Sequence, residues 1–164
     1  TLDFWVAEMR NRTPEADLVG TPLGNLQAAF YVGAGHPLCA ETVPLARLLP
    51  YGLASVHAPE SVLVALGQVA GLPQGVPLPL ALICDDLQVL KGVAMATHTV
   101  IACAVAGVRR EVDSGELVQL TLTDRPPIFA QMGVVSLRGR SFSAMAEFAV
   151  GFLGTLARQQ ALAA

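Results

Sequence analysis

The residues that could act on a small molecule cluster at the ends of apolar runs. Ser55 and His57 follow the run Leu53 to Val56; Cys84, Asp85 and Asp86 follow the run Leu78 to Ile83. Together they offer a hydroxyl, an imidazole, a thiol and two carboxylates. If the runs are strands of a parallel α/β sheet, both groups lie beyond strand carboxyl ends and before helix N-termini, where such sheets bind ligands. The two aspartates also have a simpler use. One caps the helix opening at Leu87 and the other is a first-turn acid, since free N–H groups and the helix dipole favour a carboxylate there. His36 lies in the turn Gly33-Ala34-Gly35-His36-Pro37-Leu38 and reads as fixing that turn through a backbone hydrogen bond. His98, between Thr97 and Thr99, reads as part of a helix-to-strand junction.

Enzyme chemistry finds little support. The chain has no GxSxG, HExxH, P-loop or GxGxxG motif, and nothing in it gathers a serine, a histidine and an acid. Cys39, Cys84 and Cys103 are odd in number and far apart, unlike a metal cluster or a disulfide framework. Each lies among apolar residues, which suits buried free thiols in a reducing compartment. No metal and no cofactor is expected.

The elements that must hold these residues are clearest between Leu78 and Leu120. A short apolar run leads to Asp85-Asp86. A helical pattern follows in Leu87, Leu90 and Val93-Ala94, ending near Thr97-His98-Thr99. Val100 to Val105 is a continuous apolar stretch, as for a strand buried on both faces. Gly107 to Ser114 fits a short helix stopped by Gly115, and Leu117 to Leu120 starts another strand. This alternation implies βαβ units and a mostly parallel sheet. Elsewhere the pattern predicts strands over 1–8, 26–32, 53–56 and 128–137. It predicts a helix or turn at 42–48, a helix from Pro59 to Ala70, and a last helix capped by Ser143. Residues 9–22, 71–77 and 121–127 read as loops.

Composition narrows the class further. The chain is 53% hydrophobic and 14% charged, with a net charge of −3, so it should fold, and it lacks the basic stripe of a nucleic-acid surface. No leader opens it. The longest uncharged stretches are broken by Pro73, Pro77 and Pro79 or carry Thr97-His98-Thr99, so no membrane span is expected. A strand at the first residues with nothing before it suggests a chain cut inside a domain, soluble and cytoplasmic.

The run Leu2-Asp3-Phe4-Trp5-Val6, the strand leading to Gly35-His36-Pro37-Leu38, Asp86 to Val105 with the following Gly115-Glu116-Leu117-Val118, and the ending Val134 to Ser143 together resemble the effector-binding domain of LysR-type transcriptional regulators. The resemblance covers nearly the whole chain. It implies an α/β fold like the type II periplasmic-binding proteins, with two Rossmann-like subdomains joined by two crossing strands. Residues 1–29 would be part of the first subdomain and a crossing strand, 30–127 the second subdomain, and 128–164 the return strand and last helix of the first. The first subdomain would be incomplete, and the family's N-terminal winged helix-turn-helix absent. The sequence departs from the common pattern where many members have two glycines, here Thr97 and Thr99, and a proline near Ala104.

The resemblance implies a small-molecule effector as partner, DNA contact only through the absent N-terminal segment, and a homo-oligomer without a membrane. The helix around Ser61 to Ala70 and the last helix near Phe148 and Phe152 would offer surfaces for pairing. The effector is expected where strands 53–56 and 78–83 end and meet the crossing strand that finishes near Gly33, whose backbone N–H has no side chain in front of it. Ser55, His57, Cys84 and Asp85 would line one wall, with Glu8 and Met9 on the other and Thr97 a further candidate. If Asp85 faces the ligand, an effector with hydroxyls or positive charge is favoured; if it caps the helix, a carboxylate effector remains open. The competing reading is an extracytoplasmic solute-binding protein of the same fold, which a secretion signal upstream would reveal. An enzyme on this scaffold is the third.

Overall fold

In the computed structural model, residues 3–11, 16–124 and 128–162 are described. The chain divides into two compact units, 1–27 with 129–164, and 28–128. Two strands, β2 (Leu18–Gly33) and β9 (Ile128–Leu137), carry the chain across these boundaries.

The first unit holds β1 (Trp5–Glu8), the first half of β2, β9 and the long helix α4 (Ala144–Leu162). Strands β1 and β9 are antiparallel, Trp5 facing Val135 and Glu8 facing Met132. The two ends of the chain therefore share one sheet, as their apolar patterns require, and β9 lies between β1 and β2. The Ser143 hydroxyl accepts from the Ala146 N–H at 3.2 Å and donates to Asp3 at 2.6 Å, so one side chain caps α4 and ties it to the start of the chain. Strand β2 begins at Leu18, inside the expected loop 9–22. Pairing within the sheet overrides the turn preference of Gly20 and Pro22.

The second unit is built on a sheet in the order β2, β6 (Val100–Ala104), β4 (Leu53–Ser55), β5 (Leu82–Ile83), with β7 (Leu117–Gln119) also on β2. Strands β4, β5 and β6 are mutually parallel, whereas β6 and β7 run antiparallel to β2. Alternate residues of the second half of β2 feed two cores. Phe30 and Val32 pack with Leu45, Leu48, Leu53, Leu66 and Leu78; Ala29 and Tyr31 pack with Leu90, Ala94, Ile101, Val108 and Leu117. Strand β6 also contributes to both, through Val100 and Ile101, which is why it reads as an unbroken apolar run. Each such fully buried Leu or Ile contributes about 1.5–3 kcal/mol of transfer free energy.

Three helices cover these cores: α1 (Glu60–Val69), α2 (Leu87–Ala96) and α3 (Arg109–Asp113). Asp86 is the N-cap of α2, accepting from the Gln88 N–H at 2.8 Å. Gly115, at φ 77°, closes α3: its N–H bonds the Val112 carbonyl and the Glu116 N–H bonds Glu111. Lys91 and Glu111 meet at 2.9 Å and link α2 to α3. The hydrogen bond from Lys91 holds the Glu111 carboxyl below its ordinary 4.5. Beside them Cys103 is buried, and loss of solvent pushes its thiol up to about 12.

Other expectations are revised. The run 78–83 is strand only at Leu82–Ile83, because Pro77 and Pro79 supply no N–H for a ladder. The Leu78 N–H instead bonds the Leu63 carbonyl of α1 at 2.8 Å. A small parallel pair joins β3 (Thr42–Val43) to β8 (Thr121–Leu122), where a helix or turn and a loop were expected. Residues Leu45–Tyr51 form a 3-10 helix.

Candidate functional site

The parallel strands of the second unit place one set of polar residues together. Ser55 pairs with Ile83 of β5 and with Ala102 of β6, so β4 and β5 end level while β6 runs two residues further, to Ala104. Beyond that edge the chain continues into His57, into Cys84-Asp85, and into a 3-10 turn at Val105–Gly107. The Cys84 N–H bonds the Ser55 carbonyl at 3.0 Å, and the Asp85 carboxylate accepts from the His57 N–H at 2.9 Å. Asp85 is therefore neither the N-cap nor a first-turn acid of α2. It joins the two loops that leave β4 and β5. Ser55 is buried, Cys84 is half-buried, and His57 and Asp85 are exposed. The imidazole and the carboxylate thus stand at the rim, with the hydroxyl and thiol behind them.

Helix α1 starts two residues after Ala58 at the same edge. Its N-cap is Pro59, and no side chain caps it. Ser61 is exposed in its first turn. Ser61 and the 105–107 turn follow β4 and β6 at the ends these parallel strands share, which only the strand pairing reveals. The Pro59-Glu60-Ser61 helix start was the sequence signal that could have found Ser61.

Gly33 and Thr97 do not join this group. Strand β2 runs against β6, so it finishes beside the start of β6 rather than beside its end. The expectation that Gly33 meets Ser55 and Cys84 is corrected by that direction. Gly33 instead approaches the last turn of α2: a Cβ added there would lie 2.7 Å from the Ala94 carbonyl oxygen. Thr97 is the C-cap of α2, its hydroxyl donating to the Val93 carbonyl at 2.7 Å and accepting from the Thr99 N–H at 3.0 Å. These two residues line a separate open cavity of about 320 Å³ with Gly35, His36, Met95, Ala96 and His98.

His36 fixes its turn as the sequence suggested. Its Nδ1 accepts from the Leu38 N–H at 3.1 Å, so Nε2 carries the hydrogen and donates to the His98 carbonyl at 3.0 Å. Burial, and secondarily the nearby His98, hold the ring below the ordinary 6.5, although the bond to the His98 carbonyl acts in the other direction.

Glu8 and Met9 belong to the first unit and are engaged there. Burial raises the Glu8 pKa, but bonds from the Arg10 guanidinium at 2.7 Å and from the Gln131 N–H at 3.0 Å bring it below 4.5. Met9 packs its thioether over Gly133, filling the space a side chain would need there. Among the described residues no group of His, Cys, Asp and Glu could hold a metal ion, and no helix is long and apolar enough to cross a membrane.

Residues 1–158 match the model of the LysR substrate binding domain. The chain belongs to that family, and its fold is the type II periplasmic-binding-protein-like α/β fold of LysR effector-binding domains. It is a small-molecule effector-sensing domain of the LysR class, and the matches do not favour the solute-binding alternative. A curated relative, the SDS degradation transcriptional activation protein of a Pseudomonas species, is 30% identical over 93% of this chain and 50% of its own length. The chain thus spans about half the length of the curated relative it matches. Among solved structures, the effector domain of the transcriptional regulator AmpR of Pseudomonas aeruginosa superposes with a TM-score of 0.69 at 16% identity. That match covers 99% of this chain and 74% of the other. The effector-binding domain of QuiR in complex with shikimate gives 0.69 at 12% identity, covering 96% and 72%.

Proposed function

We propose that this chain senses its effector at the edge formed by Ser55, His57, Cys84 and Asp85, on behalf of a DNA-binding transcription regulator. The observation that supports this placement is the level ending of the parallel strands β4 and β5, beside β6, with polar side chains on the loops that leave β4 and β5. Ligands of parallel α/β sheets sit at such edges. Asp85 spends one oxygen on the His57 N–H and leaves the other at the exposed rim, which suits an effector bearing hydroxyls or positive charge over a simple anion. The effector is bound and released unchanged. DNA is contacted by an N-terminal segment outside this chain, and the intact regulator works in the cytoplasm as a homo-oligomer.

The test uses the full-length protein. A thermal-shift screen would include shikimate and alkyl sulfates, the compound classes in the names of the two similar proteins, with neutral polyols beside them. Hits would then be tested for their effect on retardation of a DNA fragment from upstream of the protein's own gene. The reading expects a compound that both raises the melting temperature and alters the retardation or its footprint. Conversion of the compound to a product, or DNA binding indifferent to every hit, would refute it.

A further inference from the structure

Helix α2 ends on carbonyls that find no partner. Its C-cap, Thr97, gives both its N–H and its hydroxyl to the Val93 carbonyl, at 3.0 and 2.7 Å. Among the described residues the carbonyls of Ala94, Met95 and Ala96 then accept no hydrogen bond. They carry the negative end of the helix dipole, and the last turn holds no basic side chain to answer it.

The open cavity of about 320 Å³ lies at this end of α2, where Met95 to His98 form one wall and Gly33, Gly35 and His36 the other. Its volume is that of a small-ligand site. Glycine keeps the second wall low: Gly33 lies against the Ala94 carbonyl, and a Cβ on Gly35 would meet nothing within 4 Å. No Lys, Arg, Asp or Glu lines the cavity. Two of its polar side chains are already committed. His36 spends both ring nitrogens, on the Leu38 N–H and the His98 carbonyl, and the Thr97 hydroxyl serves Val93 and Thr99. Burial holds the His36 pKa down, so that ring brings no charge at neutral pH. What remains unspent is chiefly backbone acceptor, beside the exposed side chains of Met95 and His98.

We propose that this cavity is a second ligand site, separate from the effector edge, and that it takes a small organic ammonium ion. The N–H groups of the ion donate to the carbonyls that end α2, and its carbon chain lies along Met95, Ala96 and the backbone of Gly33 to Gly35. A carboxylate would meet the negative end of a helix with no basic side chain beside it, and is rejected. Strand β2 runs against β6, so the cavity stands at the edge of the sheet opposite Ser55, His57 and Asp85. Helix α2 spans the two edges, from its cap at Asp86 to Ala96. The two sites therefore do not compete, and this one does not depend on where the effector binds.

Full-length protein would be titrated calorimetrically with n-butylammonium chloride, and with sodium butyrate and 1-butanol at matched ionic strength. The expected result is saturable binding of the ammonium ion alone, with a raised melting temperature. Two variants locate it. Ala96→Lys tethers an ammonium group at the exposed last residue of α2, and Gly35→Leu fills the open side of the cavity without meeting a neighbour at its Cβ. Each should weaken n-butylammonium binding at least about tenfold, and Ala96→Lys should by itself raise the melting temperature, since a cation suits that helix end. Either variant keeps the test decisive should the other fail to fold. No saturable binding, or butyrate or butanol binding as well as the ammonium ion, overturns the proposal. So does ammonium binding that survives in both variants, or that is lost in Asp85→Asn, which would assign the ion to the effector edge.

Discussion

Replacing Gly33 with alanine separates a packing role from a ligand role. The glycine is buried at the end of β2, and a Cβ built on it lies 2.7 Å from the Ala94 carbonyl oxygen and 3.3 Å from the Met95 Cα. Ordinary contact begins at 3.4 Å, and both neighbours are helix backbone, so the last turn of α2 must move as a whole. Overpacking of this kind costs about 1–3 kcal/mol. Alanine restricts the unfolded chain more than glycine, which returns about 0.4–1 kcal/mol. The net expectation is a loss of about 1–2 kcal/mol, or roughly 2–8 °C in Tm for a domain of this size. Gly35 is the control: nothing lies within 4 Å of its added Cβ, so Gly35→Ala should be neutral or slightly stabilising. Urea and thermal unfolding of both variants would measure this, with effector affinity measured alongside. A Gly33→Ala protein as stable as the parent would refute the steric argument. Unchanged stability with a large loss of affinity would restore Gly33 to the ligand site.

Three further outcomes follow from the charged and titrating groups. Burial lowers the His36 pKa in the folded state, so the unfolded chain binds the extra proton first; stability should fall as pH drops below about 6.5, and the His36 ring signals in NMR should titrate below that value, the neutral ring carrying its hydrogen on Nε2. The Glu111 pKa is lowered by Lys91, so the stability it contributes is complete above about 4.5 and is lost as pH falls through the lowered value. Lys91→Met should be less stable at neutral pH, with the gap to the parent narrowing in acid; urea midpoints at several pH values would show it, and a gap independent of pH would contradict it. Cys103, with its thiol near 12, should resist alkylation at pH 8 in the folded protein, while Cys39 and Cys84 react faster by mass spectrometry.

Much of the second unit was legible because its signals are local. Asp86 before Leu87 marks a helix start, Gly115 marks a stop, and the apolar run at Val100 needs two covered faces whatever lies around it. Ser143 likewise announces α4. What could not be read depends on partners distant in sequence. Leu18 to Leu23 holds turn-forming residues and becomes strand only because β9 lies beside it. Thr42-Val43 and Thr121-Leu122 are too short to signal a strand until they pair. The direction of β2 was also hidden, since alternation reads the same from either end. That single ambiguity grouped Gly33 with Ser55 and Cys84, when the antiparallel register sends it to the opposite edge. The bond from His57 to Asp85 was invisible for a similar reason: capping preference identifies a carboxylate near a helix start, but not which of two neighbours makes the cap.

The placement of the effector is tested most directly by titrating the full-length protein calorimetrically with the best hit of the thermal-shift screen, comparing substitutions at the two edges of the second unit. Asp85→Asn and His57→Ala alter the edge where β4 and β5 end, while Thr97→Ala alters the edge where β2 ends. Loss of a charge-assisted hydrogen bond to the ligand costs about 1.5–3 kcal/mol, roughly ten- to a hundredfold in affinity. The account predicts a loss of that size for at least one of the first two and a change within about twofold for Thr97→Ala. A Thr97→Ala protein that loses affinity while Asp85→Asn and His57→Ala keep it would contradict the account.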